Sequence, residues 1–254
     1  MRLGCQSITF RNADPARSLP QTLEAIAAAG FEGVELAAAS VDLTEPESLQ
    51  GLARQHGLEI VALHLPSGNF DPEAQPRTPV DVGALKACVR VCHVPFVLVS
   101  GSGHQGAEHL AEALNAGARE LAAAGATLCY HNHGQELGDD ARWLDAFCAA
   151  SDPTAVGLAF DLGWATRAGA DPVALVRRFA GRIRYVHVKD TAGDAWMELG
   201  RGEVDLPAVL GAVEPLNLPW WVAEQDRSAG DPAESVRVNG AYLRAWRDRA
   251  AARA

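Results

Sequence analysis

Four polar residues, Glu136, Asp161, His187 and Glu224, each stand at or just past the end of a short apolar run, at 126–130, 156–160, 183–186 and 220–223. The runs have strand length and are rich in β-branched and aromatic residues, so the acids and the histidine read as strand-end groups. If the strands are parallel neighbours, the four side chains converge on one face. Three carboxylates gathered there repel one another and raise each other's pKa unless a cation neutralises them. Oxygen donors with an imidazole suit Mn, Mg, Co or Zn. The pattern predicts a divalent-metal enzyme with Glu136, Asp161, His187 and Glu224 as ligands.

Each stretch offers further groups. Tyr130-His-Asn-His-Gly-Gln-Glu136 carries two imidazoles and a carboxylate. Glu136 would turn back onto the metal, while His131 or His133 contacts metal or substrate; the alternative is a polar loop bonding its neighbours. Asp161 is either a ligand or the N-cap of a following turn, and Trp164 either walls a sugar-like ligand or packs in the rim. Tyr185, His187 and Lys189 share one strand face by their period of two. A histidine and a lysine on an inward face cost free energy unless paired or used. Lys189 would neutralise a substrate oxyanion, or pair with Glu198 or Asp190. Glu224 is a second carboxylate for proton transfer, or else a salt-bridge partner of Arg184 or Arg201. Glu35 and His64 end two earlier strands and are expected to contact substrate. Gly200 and Gly202 would let their loop close over a ligand, or form a plain turn.

The elements that must position these groups alternate along the whole chain. Strand-like segments at 3–8, 33–36, 59–64, 96–99, 126–131, 156–160, 183–188 and 220–224 are separated by helical ones at 18–29, 45–56, 82–92, 107–124, 140–149, 172–179 and 206–213, with a last helix at 232–249. Eight such units predict a (β/α)₈ TIM barrel of the α/β class, one domain over residues 1–254, with its chemistry at the C-terminal ends of the strands. Asp171-Pro172 and Asp231-Pro232 supply helix N-caps followed by proline, and Gly30, Gly57 and Gly125 close helices before strands.

Composition narrows the partners. A formal charge of −10 argues against a nucleic-acid partner, which needs clustered Lys and Arg. Five cysteines, an odd number in a chain too large to need staples, predict reduced thiols and a cytoplasmic protein. Cys88, Cys92 and His93 have ligand-like spacing but fall in an apolar helix, where packing is the expected role. No signal-peptide core or apolar run of about 18 residues points to a membrane. No Gly-x-Ser-x-Gly or P-loop is present, which argues against serine nucleophilic catalysis and nucleotide-phosphate binding.

The stretches Tyr130-His-Asn-His, Asp161-Leu-Gly-Trp164, Val186-His-Val-Lys-Asp190, Leu199-Gly-Arg-Gly-Glu203 and Glu224-Gln-Asp226, in this order and spacing, resemble the sugar phosphate isomerase/epimerase family of xylose isomerase-like barrels. The resemblance implies a divalent ion, often Mn, held by Glu, Asp, His and Glu from strands five to eight. Asp161, His187 and Glu224 match directly. At strand five many relatives place the glutamate where this chain has His131, and Glu136 in the next loop is the preferred ligand because a second carboxylate is chemically useful. The implied reaction lies next to the carbonyl of a sugar or keto-sugar, through an enediolate stabilised by the metal, with Glu136 and Glu224 exchanging protons in isomerisation or epimerisation. Loss of a β-substituent would instead make a dehydratase or lyase of a keto-sugar or inosose. An endonuclease IV-like DNA-repair enzyme and a non-catalytic sugar-binding barrel are the other readings; the acidic charge and the lack of a second histidine near Asp161 weigh against the first. Arg77, Arg167 and Arg201 are too scattered for a phosphate site, so an unphosphorylated substrate is at least as well supported. Relatives are often dimers or tetramers, which makes a homo-oligomer a further expectation.

Overall fold

The computed structural model describes residues 1–71, 78–101 and 106–252. Strands and helices alternate: β1 (Arg2–Gln6), α1 (Ile8–Ala13), α2 (Leu19–Ala28), β2 (Gly33–Ala37), α3 (Pro46–Gln55), β3 (Glu59–Pro66), α4 (Val82–Cys92), β4 (Phe96–Ser100), α5 (Ala107–Ala124), β5 (Thr127–His131), α6 (Gly138–Ala150) and β6 (Val156–Asp161). There follow α7 (Leu162–Arg167), α8 (Pro172–Arg178), β7 (Ile183–Val188), a hairpin of β8 (Asp190–Ala192) and β9 (Ala195–Met197), α9 (Leu206–Val213), β10 (Trp220–Ala223) and α10 (Pro232–Ala251). The barrel closes in the order β1-β10-β7-β6-β5-β4-β3-β2, with the pairs parallel throughout. The helices wrap it, as expected for a (β/α)₈ architecture.

Local chemistry sets the helix starts. Asp171 accepts from the Val173 and Ala174 amides, and Asp231 from Ala233, each ahead of a proline at the first helical position. Ser18 and Gln21 form a reciprocal capping box. Three elements lie outside the sequence expectation: α1, α7 and the β8–β9 hairpin. All are of three to six residues, too short for a hydrophobic period to show.

Strand alternation divides the apolar residues into two cores. One, containing Val97, Val99, Leu128, Tyr130 and Phe160, packs outward against the helices. The other, containing Phe96, Leu98, Cys129, Ala159, Tyr185, Trp220 and Val222, fills the barrel interior. The inner core depends on glycine where large neighbours cross it: a Cβ on Gly33 would meet Val61 Cγ1 and the Trp220 ring. All five cysteines are free, and Cys88 and Cys92 are buried within α4 as the helix-packing expectation has it. No helix among the described residues is long and apolar enough to cross a membrane.

Gly33→Ala tests the inner packing. Overpacking of this kind costs about 1–3 kcal/mol, or a fall of roughly 2–10 °C in Tm for a chain of this length. Thermal denaturation followed by circular dichroism reads it; an unchanged Tm would show that Val61 and Trp220 yield without strain.

Candidate metal centre and substrate cavity

The period of two that sends Cys129, Ala159, Tyr185 and Val222 into the barrel also sends His131, Asp161, His187 and Glu224 inward, one layer higher, at the C-terminal mouth. One ligand atom from each lies within 4.8 Å of the others, and all four residues are buried. His131 Nε2 is 3.4 Å from Asp161 Oδ2 and 3.6 Å from Glu224 Oε2, while His187 Nδ1 is 2.9 Å from Glu224 Oε2. These atoms are near one another but not aligned as hydrogen bonds, and His131 Nε2, Asp161 Oδ2, His187 Nδ1 and Glu224 Oε2 all lack a hydrogen-bond partner. Buried polar atoms are nearly always satisfied. Four orphans converging from four strands are what a cation among them would satisfy, so the donor set fits a divalent metal.

Other atoms of the same side chains are tied into the fold. His187 Nε2 bonds Glu35 Oε2 at 2.7 Å, which turns Nδ1 toward Glu224. Glu35 also accepts from Tyr185 Oη at 2.7 Å and bonds His64 Nδ1 at 2.9 Å; His64 Nε2 in turn bonds Ser100 Oγ at 2.9 Å. A carboxylate behind an imidazole fixes its ring and raises its basicity as a ligand. Asp161 Oδ1 accepts the Trp164 amide at 2.7 Å as the N-cap of α7, so the capping and ligand readings of Asp161 both hold in geometry, one oxygen each.

The charges shift one another strongly. Burial would lower the His187 imidazole, but Glu224 and Glu35 outweigh it and hold the ring well above its ordinary pKa. Burial would raise Glu224, but His187 and Lys189 hold its carboxyl well below the usual range. Burial would lower Lys189; Asp161, Glu224 and Asp226 raise it instead. His133 goes the other way: burial, and then the neighbouring His131, push it down to about 4.

Several expected site residues lie elsewhere. Glu136 is not one of the four donors. It follows Tyr130, which faces outward against Trp143 and Phe147, and its carboxylate accepts from Tyr130 Oη and the His133 amide, each at 2.8 Å. The strand-five position of the cluster belongs to His131. Glu35 is fully buried beneath the cluster and acts on His187 and His64 instead of contacting a ligand. Lys189 Nζ pairs with Asp226 Oδ2 at 2.6 Å, and lies 3.4 Å from both Asp161 Oδ2 and Glu224 Oε2, not with Glu198 or Asp190. Asp190 instead accepts the amides of Gly200, Gly202 and Val204, at 2.9, 3.0 and 3.2 Å, so the 199–205 loop is anchored where closure was expected. Trp164 packs edge-on to His133 and Trp196.

A cavity of about 260 Å³ opens above the cluster. His64, His131, His133 and Glu224 line it, as do Gln6, Arg11, Ser100 and Asp226, which the sequence reading did not single out. Glu35, Glu136, Trp164 and Lys189 are absent from its wall. Gln6 and Ser100 end β1 and β4; Ser100 directly follows the segment expected at 96–99 and so carries the same strand-end signal as His64, whereas Gln6 falls inside the segment expected at 3–8 and does not. Arg11 lies beyond a strand end, on α1, and has no such signal. Of the arginines considered from sequence, Arg167 stacks on Trp196 with 3.5 Å to the ring centre, Arg201 pairs with Glu198 at 3.5 Å, and Arg77 lies outside the described residues.

The profile of the xylose isomerase-like TIM barrel family matches residues 23–246. The chain belongs to that family. Among its relatives it is similar to an inosose dehydratase of Geobacillus kaustophilus, 38% identical over 159 residues, which cover 54% of this chain and 51% of that protein. It is also similar to the rhizopine catabolism protein MocC of Rhizobium meliloti, 26% identical with 94% of this chain and 86% of that protein covered. The chain thus matches about half the length of the inosose dehydratase. The fold of a sugar phosphate isomerase/epimerase from Parabacteroides distasonis superposes with a TM-score of 0.76 at 19% identity, covering 95% of this chain and 93% of that one. That likeness concerns the barrel alone.

Three variants of this xylose isomerase-like barrel separate the geometry from its alternative. His131→Ala is expected to abolish tight divalent-metal binding. Glu136→Gln, which keeps an acceptor for Tyr130 and the His133 amide, should leave it unchanged. Glu35→Gln should weaken it about 10–100-fold by loosening His187. Titration calorimetry with Mn²⁺ and Zn²⁺ gives the answer; a loss of affinity in Glu136→Gln equal to that in His131→Ala would return Glu136 to the ligand set.

Proposed function

We propose that the protein is a divalent-metal-dependent lyase that removes water from a keto-polyol or keto-sugar, beginning next to the carbonyl. The observation carrying this reading is the cluster of four buried donors, His131, Asp161, His187 and Glu224, whose converging atoms lack hydrogen-bond partners and of which His131 and Glu224 line a cavity of small-molecule size. Two imidazoles with two carboxylates suit Mn, Co or Zn better than Mg. Bound there, such an ion would polarise a carbonyl and make the adjacent C–H more acidic.

The remaining steps fall to side chains around the cavity. His133 is neutral at pH 7 and faces the cavity, free to take the proton from the carbon beside the carbonyl. Asp226 faces the same space; burial raises its carboxyl, with Lys189 behind it at 2.6 Å. Paired with the Lys189 ammonium, it is placed to pass a proton from that group to the departing hydroxyl, so that the substrate loses one proton to His133 and its hydroxyl leaves as water. His64 and Ser100, bonded to each other, and Gln6 present polar groups for the substrate's other hydroxyls.

Dehydration is favoured over two-base epimerisation by the position of Glu136. Exchange of protons at opposite faces of one carbon was assigned to Glu136 and Glu224, and Glu136 is held on Tyr130 outside the cavity wall. Similarity to proteins named inosose dehydratase points the same way. Among the described residues one donor cluster of this kind is present, which suits small-molecule chemistry better than a multi-metal nuclease.

Incubation of the metal-loaded protein with 2-keto-myo-inositol and a panel of ketoses in D₂O separates the outcomes by mass. A product lighter by one water supports the lyase. A product of unchanged carbon skeleton and composition carrying deuterium would overturn it in favour of isomerisation, and failure to take up any divalent metal would overturn both. His133→Ala and Asp226→Asn should each lower kcat by about 10²–10⁴-fold while leaving metal content intact.

A further inference from the structure

The cavity above the metal centre has a neighbour. A second cavity of about 410 Å³ lies beside it, and Arg11 and Ala37 belong to the walls of both. From Arg11 the second cavity runs past Ser7, Arg17 and Ser40. We infer that this neighbouring cavity is a substrate subsite for an oxyanion, a phosphate or carboxylate borne by the end of the substrate remote from the reacting carbonyl, with Arg11 and Arg17 as its recognition residues.

The side chains in it carry the argument. Neither Arg11 nor Arg17 has a carboxylate partner among the described residues. The one hydrogen bond of the Arg11 guanidinium is a long one, 3.4 Å to Ser40 Oγ. Arg17 donates from Nη2 to the Gln21 carbonyl at 3.0 Å and lies over the Phe10 ring at 4.7 Å, and its buried Nε has no partner. The stacking holds the guanidinium in place and leaves donors for a ligand. Asp14 also lines the cavity, but its Oδ1 accepts the Ala16 amide within its own turn, and two guanidinia against one carboxylate leave an excess positive charge.

In a chain of formal charge −10, such a pocket focuses anions. Planar guanidinia recognise phosphate and carboxylate by paired hydrogen bonds, and hydroxyls such as those of Ser7 and Ser40 complete such a site. The expectation from sequence that an unphosphorylated substrate is at least as well supported rested on the scatter of Arg77, Arg167 and Arg201; the pair that meets this second cavity is Arg11 and Arg17.

This assignment rests on the reading of the 260 Å³ cavity as the reacting site, and its test does not require turnover. Calorimetry with glucose, glucuronate and glucose 6-phosphate compares no anion, a carboxylate and a phosphate on one skeleton. At least one charged probe should bind the wild type about tenfold or more tighter than glucose, with an advantage that shrinks as salt rises; the tighter of the two identifies the oxyanion. The doubly substituted Arg11→Gln, Arg17→Gln protein should lose that advantage, while His131→Ala, which disables the metal centre and leaves both arginines in place, should keep it. Equal binding of all three probes, no binding of any, or an advantage that survives in the arginine variant would each overturn the subsite. Loss of metal uptake with the anion preference intact would overturn the lyase reading alone.

Discussion

The structure turns on the need to neutralise four carboxylates, Glu35, Asp161, Glu224 and Asp226, gathered at a barrel mouth where all but Asp226 are buried. Buried charges persist only when paired and hydrogen-bonded. Here the pairing runs across the barrel. Tyr185 and His187 on β7 both bond Glu35 on β2, nearly opposite in the ring of strands, and Lys189, just past the end of β7, reaches Asp161 at the end of β6 and the two acids after β10. His187 on β7 and Lys189 just beyond it, two residues apart, therefore supply positive charge that the mouth requires, and Tyr185 adds a neutral donor to Glu35. The same contacts brace the barrel and aim the donors, so fold and site are one network.

That dependence explains what was legible in the sequence. Eight strand-helix units, and an inward parity linking Tyr185, His187 and Lys189, follow from hydrophobic period and need no distant contact to be read. The placement of Glu136 did not follow. It was chosen because a second carboxylate is useful chemically, whereas the strand's own parity points to His131: Cys129 and His131 face inward and Tyr130 outward, and Glu136 joins Tyr130 on the outer side. Parity outranks proximity in sequence. Arg11 and the role of Asp190 were illegible for a different reason, since each depends on which loop the barrel brings beside which. The Gly200 and Gly202 amides bind a carboxylate ten and twelve residues away across a hairpin too short to announce itself.

Within the cluster the labour is divided inside single side chains. Asp161 caps α7 with Oδ1 and offers Oδ2; His187 holds Glu35 with Nε2 and offers Nδ1. A residue with such a second bond cannot be exchanged for another donor without also undoing the bond that orients it. His131 differs. Neither of its ring nitrogens has a hydrogen-bond partner among the described residues, and its orientation comes from the packed rings of His64, His133 and His187, at centroid distances of 5.2, 5.0 and 4.8 Å. A donor fixed by packing alone is held less stiffly than one fixed by directional bonds, and its replacement disturbs fewer neighbours. Of the four clustered donors, the one on strand five is therefore the one whose exchange would disturb the rest of the mouth least.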